Sequence, residues 1–162
     1  MPAPGIRAVL LLLALAATPA AAPAAAEATA PPQDLASLKN AYREVDLRQF
    51  VAASRTGKPG LRTIFVPARV KFRARLARPP IPQESDYLMS ALQATGVVNP
   101  PTVEHGIGLD YGGEKGLAAY IEKDAARHLA SAAKAGDTLT FYALHVYNNH
   151  RGPALVIVSF GQ

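Results

Sequence analysis

Residues 137–161 read "DTLTFYALHVYNNHRGPALVIVSFG", two runs of β-branched, aromatic and aliphatic residues around the polar break "NNHRGP". Runs of that composition favour strands, and the Asn and Gly residues between them tolerate positive φ, so the segment predicts a β-hairpin. Successive side chains of a strand point to opposite sides. Leu139, Phe141, Ala143, His145 and Tyr147 therefore share one face of the first strand, and Thr140, Tyr142, Leu144 and Val146 the other. Both faces are largely apolar, which suits a strand in a sheet covered on two sides or in a small closed barrel.

Residues 69–78, "RVKFRARLAR", alternate just as strictly, with charge in place of one apolar face. Val70, Phe72, Ala74 and Leu76 point one way, while Arg69, Lys71, Arg73 and Arg75 point the other, which predicts a half-buried strand. Pro67 cannot donate to a ladder, so a bulge or an edge position is expected there. Upstream, Gly57, Pro59 and Gly60 end a helical region at 34–54, in which Asp34 and Asp46 are candidate N-caps for two short helices or one broken helix. "QESDYLMSALQATG" predicts a helix starting near Ser85 and stopping at Gly96. A short strand is expected over Val103–Leu109. From residue 114 to 137 the alanine-rich chain is spaced for a helix, with "LAAYI" also able to extend as a strand.

The two segments "GKPGLRTIFVPARVKFRARL" (57–76) and "AGDTLTFYALHVYNNHRGPALVIVSF" (135–160) together resemble the OB fold, a small Greek-key barrel. The resemblance is topological and covers the strand-forming third of the chain. It implies a partly open barrel with flanking helices, whose surface is similar to those that bind oligonucleotides or oligosaccharides. The broader expectation is an α+β domain built on a small antiparallel sheet.

Ahead of this domain, Arg7 precedes the apolar run "AVLLLLALAA" and an A-x-A site ending at Ala26. That pattern predicts a Sec-type bacterial signal peptide over residues 1–26, too short in its apolar core for a stable membrane anchor. No cysteine follows it and no arginine pair precedes it, so neither lipid attachment nor twin-arginine export is indicated. Residues 27–33, "EATAPPQ", form a polar Pro- and Ala-rich tether, leaving one globular domain over 34–162. The expected location is the periplasm or the exterior, with no transmembrane segment after cleavage. A chain without cysteine in an oxidising compartment must be stabilised by packing alone.

Removing Arg7 with the leader leaves 16 basic and 12 acidic residues, a modest excess that conceals a strong asymmetry. Eight of the basic residues lie between Arg55 and Arg78, where no Asp or Glu occurs. Arg62, Arg69, Lys71, Arg73, Arg75 and Arg78 are the candidate anion-binding residues, because arginine can engage two oxygens of a carboxylate or phosphate. The partners expected for them outside the cytoplasm are anionic envelope components or an envelope protein, rather than nucleic acid. Recognition of nucleic acid also wants stacking aromatics on the charged face, and Phe72 alternates away from it. The same alternation serves a plainer purpose, keeping a sheet face wet or defending an edge strand.

Other chemistry is thinly indicated. His105, His128, His145 and His150, with Glu104 and Asp110, lack the short spacings of metal ligands, and no metal or cofactor is expected. "GIGLDYGGEKG" (106–116) lacks the ending of a phosphate-binding P-loop. There is no nucleophile elbow and no catalytic residue is assigned. The alternative to a non-catalytic binding or structural domain is a small hydrolase or lyase using Glu104, His105 and Asp110 as an acid/base cluster on a glycine-rich loop. Ligand identity and oligomeric state carry no signal in the sequence.

Overall fold

The computed structural model describes residues 41–113 and 115–161, so the leader, the tether and most of the first expected helix lie outside the described residues; where the end of that helix is described, Arg43–Glu44 form a strand instead, paired with residues 70–71. In chain order the elements are β1 (Arg43–Glu44), α1 (Leu47–Ala53), β2 (Thr63–Pro82), α2 (Asp86–Ala94), β3 (Val103–Asp110), β4 (Leu117–Glu122), α3 (Lys123–Ala132), β5 (Thr138–Asn149) and β6 (Gly152–Gly161). The architecture is α+β, with six strands in one sheet.

That sheet is mixed rather than antiparallel. β1 runs parallel to β2, and β4 runs parallel to β6. A parallel pair requires a crossover between its strands, and α3 with β5 supplies the one between β4 and β6. The pairings run β2–β3–β4–β6–β5 and return from β5 to β2. β2 makes this return possible through its length: residues 63–75 pair with β5 and residues 75–82 with β3. The register slips between Ile64 and Ala68, around Pro67, where the ring nitrogen has no hydrogen to donate.

Burial follows the alternation of β2 closely. Val70, Phe72, Ala74 and Leu76 are buried, while Arg69, Arg73 and Arg75 are exposed and Lys71 is half-buried. The inward residues meet Ile107 and Leu109 of β3, Ile121 of β4, Phe141 of β5 and Ile157 of β6 in one core, closed by Leu47 and Val51 of α1 and Leu129 of α3. A second cluster lies on the outer side of β5 and β6, where Leu88, Ala91 and Leu92 of α2 cover Val146, Tyr147, Ala154 and Val156. Two cores, one on each side, account for the apolar character of both hairpin faces.

Local chemistry sets the element ends. Asp46 Oδ1 accepts the Gln49 N–H at 2.8 Å and caps α1, as its position suggests. Ser85 precedes α2 but does not cap it; its hydroxyl donates to the Val103 carbonyl at 2.8 Å and ties the helix to β3. The 114–137 segment divides instead of forming one helix. Leu117, Ala119 and Ile121 bury at every second position, so packing against β3 and β6 overrides the helical preference of alanine. Glu122 then caps α3 by accepting the Asp124 and Ala125 N–H groups at 2.9 and 3.0 Å.

The hairpin turn also departs from expectation. Neither Asn148 nor Asn149 has positive φ; Asn149 instead uses its side chain, accepting the Arg151 N–H at 2.7 Å. Gly152 carries the unusual backbone, with φ of +130°, and a Cβ there would lie 3.1 Å from Val51 Cγ1. Glycine is thus required both by conformation and by the close approach of α1.

Candidate functional site

The basic row lies on the outer face of the β2–β5 ladder. Arg69, Lys71, Arg73 and Arg75 stand directly across from Leu144, Tyr142, Thr140 and Thr138. Opposed residues of a ladder share a face, so the cations are bordered by two threonines, a tyrosine and a leucine. At a rise of ~3.3 Å per residue the row is about 20 Å long.

Its members differ in how they are held. Lys71 Nζ pairs with Glu44 Oε2 at 3.2 Å, since the short parallel β1 places Glu44 beside it. Arg75 donates through Nε, at 3.1 Å, and through Nη2 to Asp110 Oδ2 on β3. The Gly112 N–H and this guanidinium hold the Asp110 carboxyl below the usual carboxylate range. Arg69 and Arg73 have no ion-pair partner among the described residues. Exposed pairs of this kind are weak, so Lys71 and Arg75 stay exchangeable toward a stronger anion.

Two aromatic rings reach this face that the sequence does not place there. Tyr42 meets Tyr142 edge-on, with centroids 5.3 Å apart and an interplanar angle of 81°, and the Arg69 guanidinium lies 6.0 Å from the Tyr42 ring. Burial raises the Tyr42 hydroxyl pKa, with Arg69 opposing it. Phe72 does point inward, against Phe141. The signal for Tyr142 was its place on one face of the hairpin strand with Thr140 and Leu144. Only the register with β2 turns that face into the charged one.

Arg62 and Arg78 do not extend the row as a simple line. Arg78 is exposed beyond a register shift, opposite Gly108, where a Cβ would come within 2.9 Å of the arginine's own Cβ. Arg62 lies before β2, its guanidinium 3.8 Å from the centroid of Tyr87 on α2. It lines a separate cleft of about 440 Å³ at the hairpin tip, together with Tyr120, Tyr147, His150 and Arg151.

The residues of the alternative acid/base cluster are not on a loop but along β3. Glu104 and Asp110 are six residues apart in one strand, about 20 Å, and each is engaged elsewhere. Glu104 accepts from Lys123 Nζ at 2.8 Å, which lowers its pKa, and Asp110 from Arg75. His105 Nδ1 is buried without a hydrogen-bond partner. The histidines are likewise dispersed. His128 and His150 are exposed, whereas His145 is buried between Phe50 and Phe65, at centroid distances of 4.8 and 4.6 Å, with Nε2 2.7 Å from Asn148 Oδ1. Among the described residues no three His, Asp or Glu side chains gather as metal ligands would, and no helix is long and apolar enough to cross a membrane.

The sequence matches no protein-family model, and no curated protein matches it as a relative.

Proposed function

We propose that this chain is an exported, non-catalytic binding domain of the bacterial envelope that uses the outer face of β2 to contact anionic groups. The observation that carries the reading is the placement of Arg69, Lys71, Arg73 and Arg75 on one face with Tyr42 and Tyr142, two of the cations having no acidic partner among the described residues. A row of charges about 20 Å long spans several phosphates or carboxylates of a polymer or a lipid surface, and arginine offers each a two-pronged contact. The five-strand circuit β2–β3–β4–β6–β5, with α3 between β4 and β5, supports an OB-like Greek-key frame beneath that face. Residues 1–26 support export as a cleaved Sec-type leader, and residues 27–33 a tether.

The test is co-sedimentation of the mature chain with phosphatidylglycerol vesicles, lipopolysaccharide and peptidoglycan. Binding to at least one is expected, weakening as salt rises because the contacts are exposed charges. The double substitution Arg69→Glu with Arg73→Glu is expected to abolish it while circular dichroism stays unchanged. Equal sedimentation of the double variant, or none of the parent chain, overturns the reading. Export is tested separately by mass spectrometry of the periplasmic fraction, where the chain is expected to begin at Glu27; a chain retaining Met1 in the cytoplasmic fraction rejects it.

A further inference from the structure

The cleft at the hairpin tip is built differently from the basic row. Arg62, Gln83, Tyr120, Asn149 and Arg151 supply its polar wall, and no Asp or Glu lines it among the described residues. Small residues also line it: Gly116 just before β4, Ala118 on β4 and Ala154 on β6. A volume of about 440 Å³ falls within the range of sites for small organic ligands.

The arginine in it is seated, not loose. Tyr147 of β5 holds Tyr87 edge-on, with centroids 5.1 Å apart at 85°, and Tyr87 carries the Arg62 guanidinium 3.8 Å from its own centroid. Tyr147 is itself buried, and burial together with a hydrogen bond to Tyr120 pushes its hydroxyl pKa up, so it stays neutral. Stacking fixes the plane of Arg62 and lowers the ordering cost of binding. The Gln83 amide can donate and accept, and the Asn149 amide, whose Oδ1 already accepts the Arg151 N–H, offers its NH2 group, which suits hydroxyl groups.

The geometry points to a second, independent site in this cleft for a hydroxylated ring that carries a carboxylate or a phosphate, an acidic saccharide in chemical class. The anionic group meets Arg62 and Arg151, the ring lies against the small residues, and the amides take its hydroxyls. The site does not depend on the β2 row, because Arg62 lies outside that row, on the far side of the Pro67 bulge.

Titration of the isotopically labelled mature chain with galacturonic acid trimer, glucose 6-phosphate and maltotriose tests this. Amide shifts are expected for the two charged compounds at Gly60–Arg62, Tyr120 and Asn149–Ala154, with maltotriose weaker by about tenfold, the scale of one charge-assisted contact. Arg62→Ala is expected to weaken the charged compounds by a similar factor, Arg151→Glu likewise, and Arg73→Glu to leave them unchanged. Arg62 is exposed and outside any regular element, so its removal leaves the fold assembled. The proposal is overturned by no response to either charged compound, by equal affinity for maltotriose, by shifts centred on residues 69–75, or by an Arg62→Ala variant that binds as the parent does.

Discussion

The two halves of β5 make an instructive contrast on their outer side. From Leu144 to Tyr147 the strand lies under α2, its outward residues packed against Leu88, Ala91 and Leu92. From Thr138 to Tyr142 no helix among the described residues covers it, and the neighbours are Lys71, Arg73 and Arg75 of β2. On the inner side Leu139, Phe141 and Ala143 join the main core, and beyond them His145 packs between Phe50 and Phe65. The fold therefore spends a helix only where the outer face is apolar and leaves the charged part open. The covered half is committed to stability, whereas the proposed contact would use the half beside the arginines.

The contrast can be broken by substitution. Leu88→Ala, on the covering helix, is expected to cost about 2–5 kcal/mol in chemical denaturation, since a fully buried leucine leaves a cavity; a cost under about 1 kcal/mol would show that the helix is dispensable. Tyr142→Ala, on the open half, is expected to cost about 1 kcal/mol through the lost Tyr42 pair. His145 sharpens the seam between the halves. Burial holds its imidazole below the usual 6.5, so the unfolded chain takes up the proton first as pH falls, and stability that is full above that value declines toward the folded pKa. Urea titrations at about pH 7.5 and about 5.5 should reveal this decline in the parent chain and a smaller one in His145→Phe. Arg73→Glu should move stability least, within about 0.5 kcal/mol, because an exposed residue without a partner in the described structure contributes little to folding.

Much of this was legible in periodicity alone. The alternation at 69–76, the bulge near Pro67 and the final hairpin are local consequences of side-chain direction and ring chemistry, and each is where residue types put it. What was hidden depends on pairing at a distance. Whether "LAAYI" extends or coils is decided by β3 and β6 lying beside it, and the parallel sense of β4 and β6 is set by the long crossover over residues 123–151. The tyrosines beside the basic row were not legible as its neighbours, because Tyr142 is about seventy residues away in the chain and Tyr42 precedes α1. Glu104 and Asp110 look clustered in sequence, yet a strand spreads them and gives each a lysine or arginine of its own.

β2 carries the exposed cations and is also the strand that both β5 and β3 grip, one along each stretch of its length. The row is therefore carried along its whole length by the β5 ladder, and Arg75, its last member, sits where the grip passes from β5 to β3, so the cations ride on an interior strand and not on a free edge.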